Sequence, residues 1–173
     1  MIRLEPFETN DIPLLISWVD TQELLLQFSG PVFRFPLTEE QLLENLRAVD
    51  RKAFRIIETS SNERIGYCEL ASINLEHGSA RLSRLLIGEP EFRGKGVGRE
   101  LVKLLLRICF VDLGLHRVAL NVYDFNKAAI ACYQNAGFRI EGLNRDTVRF
   151  GNGFWSGFEM SILRPEWEAL QVS

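Results

Sequence analysis

Apolar residues along the chain switch between two spacings, and the switches mark its elements. A recurrence every three or four residues predicts a helix with one buried face, and strict alternation predicts a strand. Ile2 to Pro6 reads as a short strand. Thr9, Asn10 and Asp11 offer caps to a helix with Ile12, Leu15, Trp18 and Val19 on one side. An irregular stretch rich in Gly, Pro and Phe follows from Phe28 to Pro36. Thr38-x-x-Gln41 then forms a capping box that opens a helix carrying Leu42, Leu43, Leu46 and Val49.

Ala53 to Glu58 and Arg64 to Ile73 read as strands of an antiparallel hairpin turned at Thr59-Ser60-Ser61-Asn62-Glu63. Alternation puts Ile65, Tyr67, Glu69, Ala71 and Ile73 on one face, so Glu69 is a carboxylate in an apolar row. A strand from Ser79 to Gly88 continues the meander. Val97, Leu101, Leu104, Leu105 and Ile108 recur at helical spacing, and Gly114 is suited to end that helix just past Leu113. Arg99, Lys103 and Arg107 form a stripe on it that reads as a solvated face. Arg117 to Tyr123 is a further strand, and the strand, helix, strand passage predicts parallel neighbours. Asn126 caps and Gly137 ends one more helix. Phe138 onward is strand again, with Asp146 to Phe150 and Phe154 to Leu163 paired through Gly151-Asn152-Gly153. The tail, Pro165 to Ser173, reads as a short helix or as partly disordered.

These elements describe an α/β chain of α+β layout: a mixed, mostly antiparallel sheet of about six or seven strands flanked by about four helices. At 173 residues and 46% hydrophobic the expectation is one domain, 1–173. Within it, 1–52 supplies helices on the substrate side, 53–163 the core and 164–173 the tail. A formal charge of -3 argues against a general nucleic-acid binder. Three widely spaced cysteines among apolar neighbours, Cys68, Cys109 and Cys132, suit reduced thiols and hence the cytoplasm. No N-terminal apolar leader precedes the first strand, and no run approaches the roughly 18 apolar residues of a spanning helix, so no membrane association is expected. No metal site is expected, because His77 and His116 are the only histidines and no cysteine pair has ligand spacing.

The chemistry begins between the strand ending at Gly88 and the helix opening at Val97. The first N–H groups of a helix lack internal partners and carry partial positive charge, so they receive phosphate oxygens. Gly94, Gly96 and Gly98 keep side chains clear of those amides, and Arg93 and Lys95 are placed to screen charge at the mouth. Lys95 is followed by Gly96, with no hydroxyl residue, so this is not a Walker loop; the third glycine of a dinucleotide fingerprint is replaced by Arg99. Arg93-x-x-Gly96-x-Gly98 resembles the acetyl-CoA pyrophosphate loop of the GCN5-related N-acetyltransferases (GNAT). Asn126-x-x-Ala129-x-x-x-Tyr133-x-x-x-Gly137-Phe138 is similar to the second motif of that family, in the right order and separation. The likeness covers residues 53 to 163 and is greatest to the branch with ribosomal-protein N-terminal and polyamine acetyltransferases.

The resemblance implies a GNAT-like fold in which Leu86, Ile87 and Gly88 splay from a parallel neighbour near Asn121 and the gap admits pantetheine. Acetyl-CoA is then the donor, held by Leu86, Ile87, Gly88, Arg93, Gly94, Lys95, Gly96, Val97, Gly98, Arg99, Asn121 and Asn126. Asn126 and Tyr133 lie on one helix face, about 10 Å apart along the axis, so one elongated ligand reaches both. Read only from the residues, Asn126 is equally a plain cap and Tyr133 a core aromatic. The resemblance makes Tyr133 the acid that protonates the leaving thiolate. Glu69 is the expected base; Glu76, Glu89, His116 and a chain of waters are the alternatives. Cys132 reads as a core thiol rather than a nucleophile.

The implied reaction is acetyl transfer to a primary amine, either a protein N-terminus or a polyamine-like small amine, with an aminoglycoside as another acceptor and an acyl-CoA sensor without turnover as the other class. Asp20, Glu23, Glu39, Glu40 and Glu44 could attract a polyamine or be solvated helix faces. Phe154 and Trp155 wall the site or support an interface, in a monomer or homodimer.

Overall fold

The computed structural model describes residues 1–172. Seven strands form one sheet: β1 (Ile2–Pro6), β2 (Lys52–Glu58), β3 (Arg64–Asn74), β4 (Ser79–Ile87), β5 (Arg117–Tyr123), β6 (Arg139–Phe150) and β7 (Gly153–Leu163). Their order across the sheet is β1-β2-β3-β4-β5-β7-β6. All neighbours are antiparallel except β4 and β5. The helices are α1 (Ile12–Trp18), α2 (Gln22–Ser29), α3 (Glu39–Leu46), α4 (Val97–Arg107), α5 (Lys127–Asn135) and α6 (Arg164–Gln171).

The sheet is covered on both faces. On one, Leu101, Leu105, Phe110 and Ile130 pack on Cys68, Leu70, Leu82, Val118 and Leu120. On the other, Ile12, Leu15, Leu25, Phe28, Phe33 and Leu42 pack around Tyr67 and Leu86. The segment from α1 to α3 therefore acts as a separate layer over the middle of the sheet, while β1 before it is the edge strand. No helix among the described residues is long and apolar enough to cross a membrane.

Two features of this layer differ from the sequence reading. Helix α2 occupies residues within a segment assigned no element, although its signal is local: the Thr21 hydroxyl accepts from Leu24 N at 3.1 Å, an N-cap worth about 1 kcal/mol. Thr38 does cap α3, accepting from Gln41 N at 3.4 Å, but the Gln41 side chain does not complete the box. Its amide instead binds the backbone of Arg34 and Pro36, closing the preceding loop. The tail is helix α6, and α4 passes through a π-helical turn, Ile108–Asp112, before Gly114 takes φ 65°.

Bulges overturn the expected single face of β3. Ile56 pairs with Gly66 and Ile57 with Arg64, which leaves Ile65 as an extra residue. Ile65 consequently joins the α4 side of the core, while Tyr67 stays on the α1–α3 side. A second irregularity between Ala71 and Asn74, with Ser72 at φ 50°, puts Ile73 with Ile65. An extra residue reverses alternation beyond it, so period-2 counting fails across a bulge.

Candidate active site

β4 and β5 pair only from Ser79–Arg81 with Arg117–Ala119. Beyond Arg81 the strands separate, and β5 continues to pair with β7 as far as Tyr123. The gap is part of a cleft of about 510 Å³. Its walls come from Leu82 to Leu86 on one side and Asn121 to Tyr123 on the other, with Asn126 and Tyr133 of α5 and Leu24, Gln27 and Phe28 of α2. Main-chain groups of β4 facing this gap lack a strand partner, so an extended amide-containing chain can supply one.

The bulge in β4 sits where the strands part. Tyr67 pairs with Leu86 and Glu69 with Ser83, so Arg84 and Leu85 share the space opposite Cys68. Arg84 takes φ 52°, a left-handed conformation that costs a side-chain-bearing residue about 1–2 kcal/mol. The surrounding contacts offset that cost and aim the side chain at the α1–α3 face, where its guanidinium carbon lies 5.1 Å from the Phe33 ring centre.

Past the end of β4 stands the glycine-rich turn, none of whose residues 93–99 is among those lining the cleft. Gly94 and Gly96 take φ 73° and 83°, and Gly96 caps α4 in the left-handed region. A Cβ added to either would meet nothing within 4 Å, so these glycines answer a backbone need and leave open space above the first amides of an eleven-residue helix. That open, positively polarised end fits a pyrophosphate. Lys95 and Arg99 are exposed beside it. Arg93 is not at the mouth: its Nε donates to Ile87 O at 2.9 Å and its Nη2 to Gly88 O at 2.8 Å, bracing the end of β4.

Of the other residues singled out, Leu86, Asn121, Asn126 and Tyr133 line the cleft, whereas Ile87 and Gly88 do not. Gly88 N donates to Ile65 O at 2.8 Å, and Gly88 lies beneath Trp18. Asn126 accepts from Ala129 N at 3.1 Å, so it caps α5 while also lining the cleft. Asn121, with its amide turned to satisfy both neighbours, donates to Glu159 and accepts from Arg81 at 3.2 Å. Arg81 in turn holds Glu159 in a bidentate pair at 2.7 and 3.0 Å.

Tyr133 reaches the cleft from α5, its ring edge-on to Phe138 at 5.8 Å. Burial, and then the neighbouring Cys132, push its hydroxyl above the ordinary tyrosine value, so it stays protonated. Burial also raises Cys132, against a smaller opposing pull from Arg99, which leaves it a poor nucleophile at neutral pH.

Glu69 does not face an apolar row. Its side chain is 0% exposed and every oxygen is engaged: Oε1 accepts from Tyr67 Oη at 2.5 Å and Asn45 Nδ2 at 3.0 Å, Oε2 from Arg84 Nη1 at 2.5 Å and from Arg51. A base must reach the proton it removes, and this carboxylate is enclosed by its own donors. Burial, then Glu69 itself, holds the Tyr67 hydroxyl well above its usual value. The cluster carries two guanidinium groups for one carboxylate.

Aromatic rings wall the mouth. Tyr123 stacks on Phe125 at 5.5 Å, and Trp155 meets Tyr123, Phe125 and Phe150 edge-on or tilted at 5.0, 4.8 and 4.7 Å. Trp155 thus supports the cleft from behind, while Phe154 is 49% exposed under Arg149. Tyr123 Oη also reaches Leu26 O at 3.4 Å, tying α2 to the far wall. The sequence reading missed Tyr123, Arg84 and α2, because each enters the site only through contacts between distant elements.

Comparison with known proteins agrees with this geometry. The sequence pattern of the Acetyltransferase (GNAT) domain matches residues 2–139. The chain is 30% identical over 169 residues to the SPbeta prophage-derived uncharacterized N-acetyltransferase YokL of Bacillus subtilis, covering 96% of this chain and 92% of that protein. It is 33% identical over 142 residues to spermidine N(1)-acetyltransferase of Vibrio cholerae, covering 82% and 80%. A crystal structure of the Vibrio cholerae spermidine N-acetyltransferase in complex with CoA and spermine matches with TM-score 0.83 at 26% identity, over 96% of this chain and 98% of that one. A dodecameric structure of that enzyme matches with TM-score 0.77 at 25% identity, over 96% and 95%.

Proposed function

Because the chain belongs to the GNAT acetyltransferase family and is an acetyl-CoA-dependent N-acetyltransferase, we propose that its cleft carries direct transfer of the acetyl group to a primary amine through a tetrahedral intermediate. The observation that carries this reading is the single cleft between the parted strands β4 and β5, with Tyr133 on its wall. Gly94, Gly96 and Gly98 with the α4 amides hold the pyrophosphate, Lys95 and Arg99 add positive charge, and Val97 begins the helix. Leu86, Asn121 and Asn126 flank the pantetheine path. Arg93, Ile87 and Gly88 act indirectly, by keeping the end of β4 in place. Acetyl-CoA supplies an activated thioester carbonyl.

The amine nitrogen contributes its lone pair to the new N–C bond as the carbonyl π pair moves to oxygen; when that pair returns, the C–S bond breaks, its electrons pass to sulfur, and the acylated nitrogen gives its extra proton to water. Tyr133 donates its proton to that sulfur. An alkylammonium has a pKa near about 10, so it must first lose a proton. Since Glu69 is enclosed, that proton passes to water in the open cleft, and Glu69 serves to position Arg84. The relatives named spermidine acetyltransferases bring a polyamine as the first acceptor to try, and a protein N-terminus is the other class. The dodecameric relative also makes an assembly larger than a homodimer the quaternary state to test, by light scattering.

The test is thiol release from acetyl-CoA with and without amines, beside calorimetric titration of acetyl-CoA. Amine-dependent CoA release supports the enzyme reading. Tight binding with no release for any amine would support the sensor reading instead.

A further inference from the structure

The cleft lining carries positive side chains, those of Arg81 and Arg84, and no carboxylate. Asp20, Glu23, Glu39, Glu40 and Glu44, the acids that could have drawn a polyamine, are all absent from that lining. A polycation keeps its remaining ammonium groups charged after one nitrogen is deprotonated, and each needs a carboxylate, carbonyl or aromatic partner on leaving water.

Arg84 is also left incomplete. Its side chain is only 7% exposed, Nη1 is taken by Glu69, and Nε is buried with no acceptor among the described residues. Nη2 is neither bonded to a described residue nor among the solvent-inaccessible nitrogens, so it is the one left to receive a ligand carboxylate in a charge-assisted bond. Arg51 shares Glu69 on the other side and likewise has an unpartnered Nε, so the buried cluster keeps one positive charge in excess. The phosphates of the donor do not account for it. Arg84 points to the α1–α3 face, against Phe33, whereas the phosphate loop opens α4 on the opposite face. Arg81, by contrast, already has Glu159.

Resting on the acetyl-transfer reading above, we infer that the acceptor is a primary amine that carries a carboxylate, as an amino acid or short peptide does, and that Arg84 is the residue that selects it. The carboxylate binds Nη2 of Arg84 and offsets the excess charge. The amine then projects along the cleft toward Tyr133. Glu69 and the left-handed bulge are positioning features, since they fix the guanidinium before substrate arrives.

The experiment compares matched pairs that differ by the carboxylate alone, lysine with cadaverine, ornithine with putrescine and tyrosine with tyramine, together with spermidine, all by thiol release. A charge-assisted contact predicts kcat/KM about 10- to 100-fold higher for the carboxylated member of at least one pair. Arg84→Gln is expected to bring that ratio close to one and Arg84→Lys to keep part of it, with acetyl-CoA affinity by calorimetry reporting that each variant is folded. Should both variants fail to fold, hexanoate, which carries the carboxylate without an amine, serves on the wild type: it is expected to compete with the amine more strongly than hexanamide, and equal or weaker inhibition overturns the inference. Preference for spermidine or for the decarboxylated members overturns it while leaving acetyl transfer intact. CoA release with none of these amines would instead remove the acetyl-transfer reading on which it rests.

Discussion

A Cβ on Gly88 would lie 2.0 Å from Cδ2 of Trp18, so the indole of α1 packs directly on the backbone that ends β4. Trp18 Nε1 donates to Glu89 Oε1 at 3.0 Å in the same contact. The α1–α3 layer is thereby fastened to the strand that leads into the glycine-rich turn. Gly88→Ala is expected to destabilise the protein by about 1–3 kcal/mol, because the methyl group must displace a packed ring. Urea unfolding of variant and wild type checks it; an unchanged midpoint would show that α1 yields freely.

Gly96 and Gly98 separate backbone need from ligand need. Gly96 has φ 83°, so Gly96→Ala is expected to cost about 1 kcal/mol or more of stability even in open space. Gly98 carries no such strain, and a Cβ there would rest 3.9 Å from Cys132 Sγ, an ordinary contact. Gly98→Ala should therefore unfold like the wild type yet bind acetyl-CoA more weakly, its methyl standing beside the amides. Parallel calorimetry and thermal unfolding distinguish the two.

Tyr133→Phe keeps the ring contact with Phe138 and removes only the hydroxyl group. We expect kcat to fall by about 10²- to 10⁴-fold with little change in acetyl-CoA affinity. Because burial raises the Tyr133 hydroxyl, its acid form persists as pH rises. The wild-type kcat/KM should then climb as the acceptor loses its proton and show no falling limb below about pH 10. A falling limb near about pH 8 would remove Tyr133 as the acid.

Glu141 offers a check on stability away from the cleft. Arg117, hydrogen-bonded at 2.7 and 2.6 Å, and Ser161 at 2.7 Å pull its carboxyl down to about 2. A depressed folded-state pKa contributes stability above the unfolded value of about 4.3, and that contribution is lost as pH falls toward the folded value. The melting temperature of Glu141→Gln should lie below the wild type at pH 7 and converge with it on acidification to about pH 2. The pair is solvent-exposed, so the difference should stay within about 1 kcal/mol.

Local chemistry made much of this protein legible from its sequence. Alternation and helical spacing located all seven strands, and the two motifs at Arg93–Gly98 and Asn126–Phe138 pointed to the donor site, because each is a contiguous stretch whose turn or helix depends on its own residues. What the sequence could not determine was the setting of Glu69 and Arg84. Glu69 is enclosed by Asn45, Arg51, Tyr67 and Arg84, which come from α3, the turn after it, β3 and β4. Arg84 faces the α1–α3 layer because an extra residue in β4 bulges against Cys68. Periodicity records which face a residue takes within one strand, but a bulge depends on the register between strands. The charge of the cleft wall around Arg84 was therefore decided only when the sheet and its N-terminal layer came together.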